Sequence, residues 1–86
     1  MDYYMIGQKI RKFRKGCGLS QEQLAEKVGI STTHLSHIET GNTKLSLPVF
    51  VDIAEALSVQ TDELLYDTPS TVSYTHLRAH ETELHL

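Results

Sequence analysis

Apolar residues recur at helical spacing along the first part of the chain. Ile6, Ile10 and Phe13 stand at i, i+4 and i+7 within residues 4–15, which is the spacing of one face of an α-helix. Gly16 follows, and glycine commonly ends a helix. The pattern predicts a first amphipathic helix with one apolar face and one basic face.

The next segment, SQEQLAEKVGISTTHLSHIETG at residues 20–41, predicts two short helices joined by a sharp turn. Ser20 and Ser31 can each cap the start of a helix. Gly29 and Gly41 can end one without a steric penalty at positive φ. Helices of about eight residues are marginal in water without tertiary packing. The two are therefore expected to pack across one another as a helix-turn-helix.

Two further helices are predicted after this segment. Ser46 is expected to cap the first of them, and a short last helix begins at Thr61. The fold class is therefore predicted as all-α, a compact five-helix domain over residues 1–67 without a strand. The predicted core stripe of the fourth helix is Leu47, Phe50, Ile53, Ala54 and Leu57.

The length and composition fit one small intracellular domain. The chain has 86 residues and no apolar run near the ~18 residues of a membrane span. Its first residues do not resemble a signal peptide. We therefore expect a cytoplasmic protein without a membrane partner. The single Cys17 excludes an internal disulfide and is expected to be a buried small apolar residue.

Charge is distributed unevenly along the chain. The formal net charge is −3, whereas a nucleic-acid-binding domain usually carries a basic surface. The polarised sequence still predicts a local positive field that can meet phosphates. With few cations available, affinity should be modest and strongly dependent on salt. The basic cluster is Lys9, Arg11, Lys12, Arg14 and Lys15, and the acidic residues of the second half are Asp52, Glu55, Asp62, Glu63 and Asp67.

The segments GLSQEQLAEKVGIS, HLSHIETGN and LPVFVDIAEALSVQTDELL resemble the lambda-repressor-like, Cro/C1-type (XRE family) helix-turn-helix domain. The resemblance covers roughly Ile6 to Tyr66. It implies a DNA-binding transcriptional regulator, usually a homodimer on a pseudo-palindromic operator. The helix at residues 31–40 would enter the major groove while the helix before it crosses the backbone. Double-stranded DNA is the expected partner, and no cofactor or small-molecule substrate is expected.

The resemblance also implies roles for individual residues. The expected base-reading residues are Thr32, Thr33, Ser36 and His37, and the expected phosphate contacts are Gln21, Thr40, Asn42 and Lys44. Arg14 and Glu39 match a partly buried ion pair between the first and third helices. The reading set lacks the side chains that make bidentate contacts to guanine or adenine. DNA shape is therefore expected to contribute to sequence preference.

Other functions were weighed against this one. The main alternative is a protein-interaction module or an antitoxin-type partner-binding protein that keeps the fold with weak DNA binding. An enzyme is not expected, because nothing in the sequence points to a pocket that assembles a nucleophile with a base. A zinc site is not expected either, because no fixed frame brings the histidines together; these are His34, His37, His76, His80 and His85.

The composition changes at the end of the chain. Residues 68–86 are expected to be a disordered tail. Within it, VSYTHLRAHETELHL at residues 72–86 resembles the translation of a transposase-type sequencing adapter. That segment is therefore interpreted as non-native and is excluded from reasoning about the fold.

Overall fold

The computed structural model describes residues 2–66 and folds them into five α-helices. The described residues contain no strand, which confirms the predicted all-α class. The predicted tail at 68–86, its adapter-like segment and its three histidines lie outside the described residues. The helices are α1 (Tyr3–Gly16), α2 (Gln21–Val28), α3 (Thr32–Glu39), α4 (Leu47–Leu57) and α5 (Thr61–Leu65).

Serine caps define the starts of α2 and α3. The hydroxyl of Ser20 accepts a hydrogen bond from the Gln23 backbone N–H at 3.0 Å, and the Gln23 side chain accepts one from the Ser20 N–H at 2.8 Å. The hydroxyl of Ser31 accepts from the His34 backbone N–H at 3.0 Å. Between the two helices Gly29 has φ +84°, which glycine adopts without strain. The sequence signals for the two motif helices therefore act locally as predicted.

The prediction that Ser46 caps α4 was wrong with respect to its side-chain hydrogen bond. Ser46 occupies the N-cap position, yet its side chain makes no capping hydrogen bond. A capping oxygen accepts from the second or third helical N–H. Pro48 is the second helical residue and has no N–H, so the N–H of Val49 is the remaining donor of this kind, and Ser46 does not bond to it. Proline instead favours the helix start through its fixed φ.

The core lies at the centre of the bundle, and every helix contributes to it. Helix α3 packs against both α1 and α2, while α4 and α5 close the opposite side. Two faces of α3 are therefore covered by neighbouring helices, which leaves one face outward. The buried apolar residues are Ile6, Ile10, Leu24, Ala25, Leu35, Ile38, Phe50, Ile53, Ala54, Leu57 and Leu64.

Two residues that were predicted to be buried are exposed. Leu47 is 71% exposed because it is the first residue of α4 and lies at the rim of the core. Cys17, the C-cap residue that follows α1, is also exposed. The Cys17 thiol lies 3.8 Å from the carbonyl oxygen of Leu57.

Helices α1 and α3 approach each other more closely than side chains would allow. A Cβ at Gly7 would lie 2.3 Å from the carbonyl oxygen of Ile38 and 2.7 Å from that of Glu39. A Cβ at Gly41 would lie 2.7 Å from the Cα of Tyr4. Glycine at both positions lets α1 lie directly against the carboxyl end of α3. Hydrophobic periodicity did not single out Gly7, because a glycine contributes nothing to an apolar stripe.

We predict that Gly7→Ala destabilises the domain by about 1–3 kcal/mol, the usual cost of forcing extra atoms into a packed contact. The clashing atoms are backbone oxygens, so relief requires α1 and α3 to separate. Urea unfolding followed by circular dichroism measures the change. The matched control is Gly16→Ala in the same helix, where a Cβ meets no atom within 4 Å. An equal effect of both substitutions would contradict the proposed close contact.

Candidate nucleic-acid interface

The outward face of α3 carries the four predicted base-reading residues. Thr32, Thr33 and His37 are exposed, and Ser36 is half-buried. Their positions at i, i+1, i+4 and i+5 place them on one side of a helix. The opposite side faces inward through Leu35, Ile38 and Glu39, all of which are buried.

The chemistry of this face is that of hydroxyls and one imidazole. A threonine or serine hydroxyl can donate to or accept from a base edge, and a threonine methyl can contact the methyl group of thymine. Histidine can donate or accept through its ring nitrogens. An α-helix fits into the major groove, which is about 12 Å wide. The side chains of this face can therefore offer single rather than paired hydrogen bonds to a base edge.

Residues after α3 form a hydrogen-bonded end to the helix. The hydroxyl of Thr40 donates to the carbonyl of Ser36 at 3.0 Å, and Asn42 Nδ2 donates to the same hydroxyl at 2.9 Å. The Asn42 backbone N–H donates to the carbonyl of His37 at 2.9 Å. The Thr40 hydrogen therefore points into the helix, whereas Asn42 retains a second amide hydrogen. Lys44 is exposed in the loop that follows.

The residues predicted to pair between α1 and α3 lie in direct contact. Arg14 Nε donates to Glu39 Oε2 at 2.6 Å, and Arg14 Nη2 donates to Glu39 Oε1 at 3.2 Å. Glu39 is 1% exposed and Arg14 is 7% exposed. Arg14 Nη1 also donates to the carbonyl of Leu19 at 2.8 Å. A two-point, charge-assisted contact of this kind fixes orientation as well as distance. It joins α1, the turn before α2 and the end of α3.

Two glutamines complete this buried network. Gln21 Nε2 donates to Glu39 Oε1 at 2.9 Å, and Gln8 Nε2 donates to the Glu39 backbone carbonyl at 3.1 Å. Gln21 is the first residue of α2 and is the predicted phosphate contact at that helix start. Sequence reasoning named Gln21 and Glu39 separately but missed the bond between them. It missed Gln8 entirely, because a single polar residue in an amphipathic helix gives no signal of a tertiary partner.

Two further features concern the described residues alone. Within residues 2–66 no group of three or more His, Cys, Asp or Glu side chains is arranged to hold a metal ion. None of the helices in that range has the length and apolar character needed to cross a bilayer.

Comparisons with known proteins agree with this geometry. The family profile described as Helix-turn-helix matches residues 10–64. The chain is 41% identical over 64 residues to the uncharacterized HTH-type transcriptional regulator YazB of Bacillus subtilis, a match that covers 74% of this chain and 93% of the relative. It is 37% identical over 68 residues to SinR of Bacillus subtilis, covering 78% of this chain and 61% of the length of that regulator.

Solved structures share the fold. The restriction-modification controller protein C.AhdI of Aeromonas hydrophila superposes with a TM-score of 0.71 and 35% identity, over 73% of this chain and 96% of that one. A structure of SinR in complex with DNA gives a TM-score of 0.67 and 38% identity, over 72% of this chain and 100% of the solved one. The chain belongs to the helix-turn-helix family of DNA-binding transcriptional regulators.

We predict that Glu39→Ala lowers the free energy of unfolding by about 3–5 kcal/mol, because it leaves the charge of Arg14 buried without a partner. The double substitution Arg14→Met/Glu39→Leu should cost less than Glu39→Ala, since it removes both charges and keeps apolar volume. Urea unfolding of the three proteins measures the difference. A double variant that loses as much stability as Glu39→Ala, or more, would contradict an energetic coupling between the two residues.

Proposed function

We propose that this protein represses transcription in the cytoplasm by binding, as a homodimer, a two-fold symmetric operator with α3 in the major groove. The observation that carries the proposal is the division of α3 into two faces. One face is fixed by buried contacts to α1 and α2, and the other presents exposed hydrogen-bonding side chains. A rigid helix with a free polar face is the arrangement by which helix-turn-helix domains read DNA.

In this proposal Thr32, Thr33, Ser36 and His37 contact base edges. Each supplies a single hydrogen bond or a methyl contact, so discrimination per base is weaker than the ~1–3 kcal/mol of a bidentate pair. Bending and groove width at steps that the protein does not touch supply the remaining preference.

Contacts to the DNA backbone position the reading helix. Gln21 at the start of α2 meets one phosphate together with the unpaired N–H groups of that helix end. Asn42 donates its free amide hydrogen, and Lys44 supplies a charge, on the opposite side of α3. Thr40 contributes after its hydroxyl rotates away from the carbonyl of Ser36.

The small size of the reading surface supports the proposed homodimer. Helix α3 has 8 residues, and the reading set within it has no side chain suited to bidentate contact. Two copies on half-sites about 34 Å apart would double these contacts and make the operator symmetric.

We predict that Lys44→Gln weakens DNA binding and makes the plot of log affinity against log salt less steep by about 0.9, as expected for one lost phosphate contact. Fluorescence anisotropy with a labelled duplex at several salt concentrations measures the slope. The matched control is Lys27→Gln, because Lys27 belongs to α2 and lines a surface cleft together with Asp52 and Glu55 of α4. Equal slope changes in both variants would refute the assigned role of Lys44.

We further predict that the full chain, used to select bound sequences from random duplexes, enriches a two-fold symmetric motif. A Thr32→Ala/Thr33→Ala/His37→Ala variant should still bind duplex DNA at low salt through phosphate contacts but lose most of that enrichment. Failure of the unmodified protein to bind any duplex at low salt would instead favour the protein-interaction alternative.

A further inference from the structure

We propose that Glu39 is a positioning residue for DNA binding: its buried carboxylate holds the side-chain amide of Gln21 in the orientation that donates to a backbone phosphate. The inference rests on the proposed DNA-binding mode and extends it to a residue that has no access to DNA. Glu39 is 1% exposed, so any effect on DNA must pass through a neighbour. Gln21 is half-buried and stands at the start of α2, where it links the buried network to the surface.

The two oxygens of Glu39 are both engaged. Oε2 accepts Arg14 Nε at 2.6 Å, while Oε1 accepts Arg14 Nη2 at 3.2 Å and Gln21 Nε2 at 2.9 Å. The carboxylate is thus held from one side by the guanidinium. It cannot turn toward solvent without breaking the ion pair, which makes it a fixed acceptor for Gln21.

An ionised carboxylate can only accept hydrogen bonds. Gln21 must therefore present its NH₂ group to Glu39, because its oxygen at the same position would be repelled. The charge of Glu39 therefore fixes which way the Gln21 amide is turned. One Nε2 hydrogen points at Glu39, and the planar NH₂ group directs the second away from it.

The second Nε2 hydrogen lies at the amino end of α2. The first backbone N–H groups of a helix have no partner within it, and they favour an anion there. A phosphate at this position can accept from the amide of Gln21 and from the helix end together. Because Glu39 orders the amide before DNA arrives, less side-chain freedom is lost on binding.

A Gln21–Glu39 hydrogen bond that served only to hold α2 against α3 would have a different effect. It would change stability, and the loss of DNA affinity on removing Gln21 would not depend on what stands at position 39. The positioning role instead predicts a coupling between the two residues in DNA affinity itself.

The test is a double-mutant cycle measured by binding of the full chain to a random-sequence duplex at low salt. Gln21→Ala in the otherwise unmodified protein should weaken binding about ten-fold, the scale of one hydrogen bond to a charged group. In a Glu39→Gln background the same Gln21→Ala change should weaken binding less than about three-fold, because the Gln21 amide there is already free to turn. Equal losses in the two backgrounds overturn the proposal.

A second variant background controls for loss of folding. Glu39→Gln weakens the partner of a buried arginine, whereas Arg14→Met/Glu39→Leu removes both charges. The reduced effect of Gln21→Ala should appear in the double background as well, with folding checked by circular dichroism. Gln8→Ala serves as the matched control, since the Gln8 amide donates to the Glu39 backbone carbonyl and not to its carboxylate. Any effect of Gln8→Ala on DNA affinity should be the same in every background.

A measurement without DNA separates the two proposals. In the free protein, the Gln21 side-chain amide proton that faces Glu39 should be shifted downfield and protected from exchange with water, and both the shift and the protection should be lost in Glu39→Gln. If the unmodified protein binds no duplex but shows this signature, the proposed function fails while the Glu39–Gln21 restraint stands. If the two protons exchange freely in the unmodified protein, Glu39 does not position Gln21.

Discussion

The ion pair between Arg14 and Glu39 is the interaction on which the arrangement of the first three helices depends. Removing two charges from water is costly, and the cost is offset only when the geometry is good and further hydrogen bonds satisfy the remaining groups. Arg14 makes two contacts to the carboxylate and one to the carbonyl of Leu19, and Gln21 adds a fourth contact. Such a network is satisfied in one arrangement of α1, α2 and α3, so it specifies their relative positions as much as it stabilises them.

The packing of α1 against α3 determines which side chains of α3 face outward. Gly7 lets α1 lie against the carbonyls of Ile38 and Glu39, and Gln8 bonds to the second of these. The rotation of α3 about its own axis is thereby set. Which side chains face outward then follows from helical spacing, because Leu35 and Ile38 must face the core. A displaced α1 would rotate the reading set without altering any residue in it.

Local signals in the sequence predicted the local features of the fold. Serine caps and positive-φ glycines act within a few residues, so the starts of α2 and α3 and the turn at Gly29 could be predicted from residue order. Features that depend on residues far apart in the sequence could not be predicted in this way. Four features arise from how the helices pack against one another. They are the close helix contact at Gly7, the bond from Gln21 to Glu39, and the exposure of Leu47 and of Cys17. The Arg14–Glu39 contact was anticipated from family resemblance, since periodicity alone places no charge opposite another.

In the proposed binding mode, the outward face of α3 makes only single contacts to bases, so contacts to the DNA backbone become important. With a net charge of −3, long-range attraction to DNA is small, and it must come from the local cations. In the proposed binding mode, threonine, serine and histidine give single contacts to bases, and the remaining free energy comes from phosphates and from DNA shape. Such contacts contribute most to affinity when the donors are already ordered. Ordering a donor during binding costs free energy and offsets the small favourable contribution of its contact. The proposed role of the buried ion pair, which is to hold the Gln21 amide in position, meets this requirement without adding any charge to the surface.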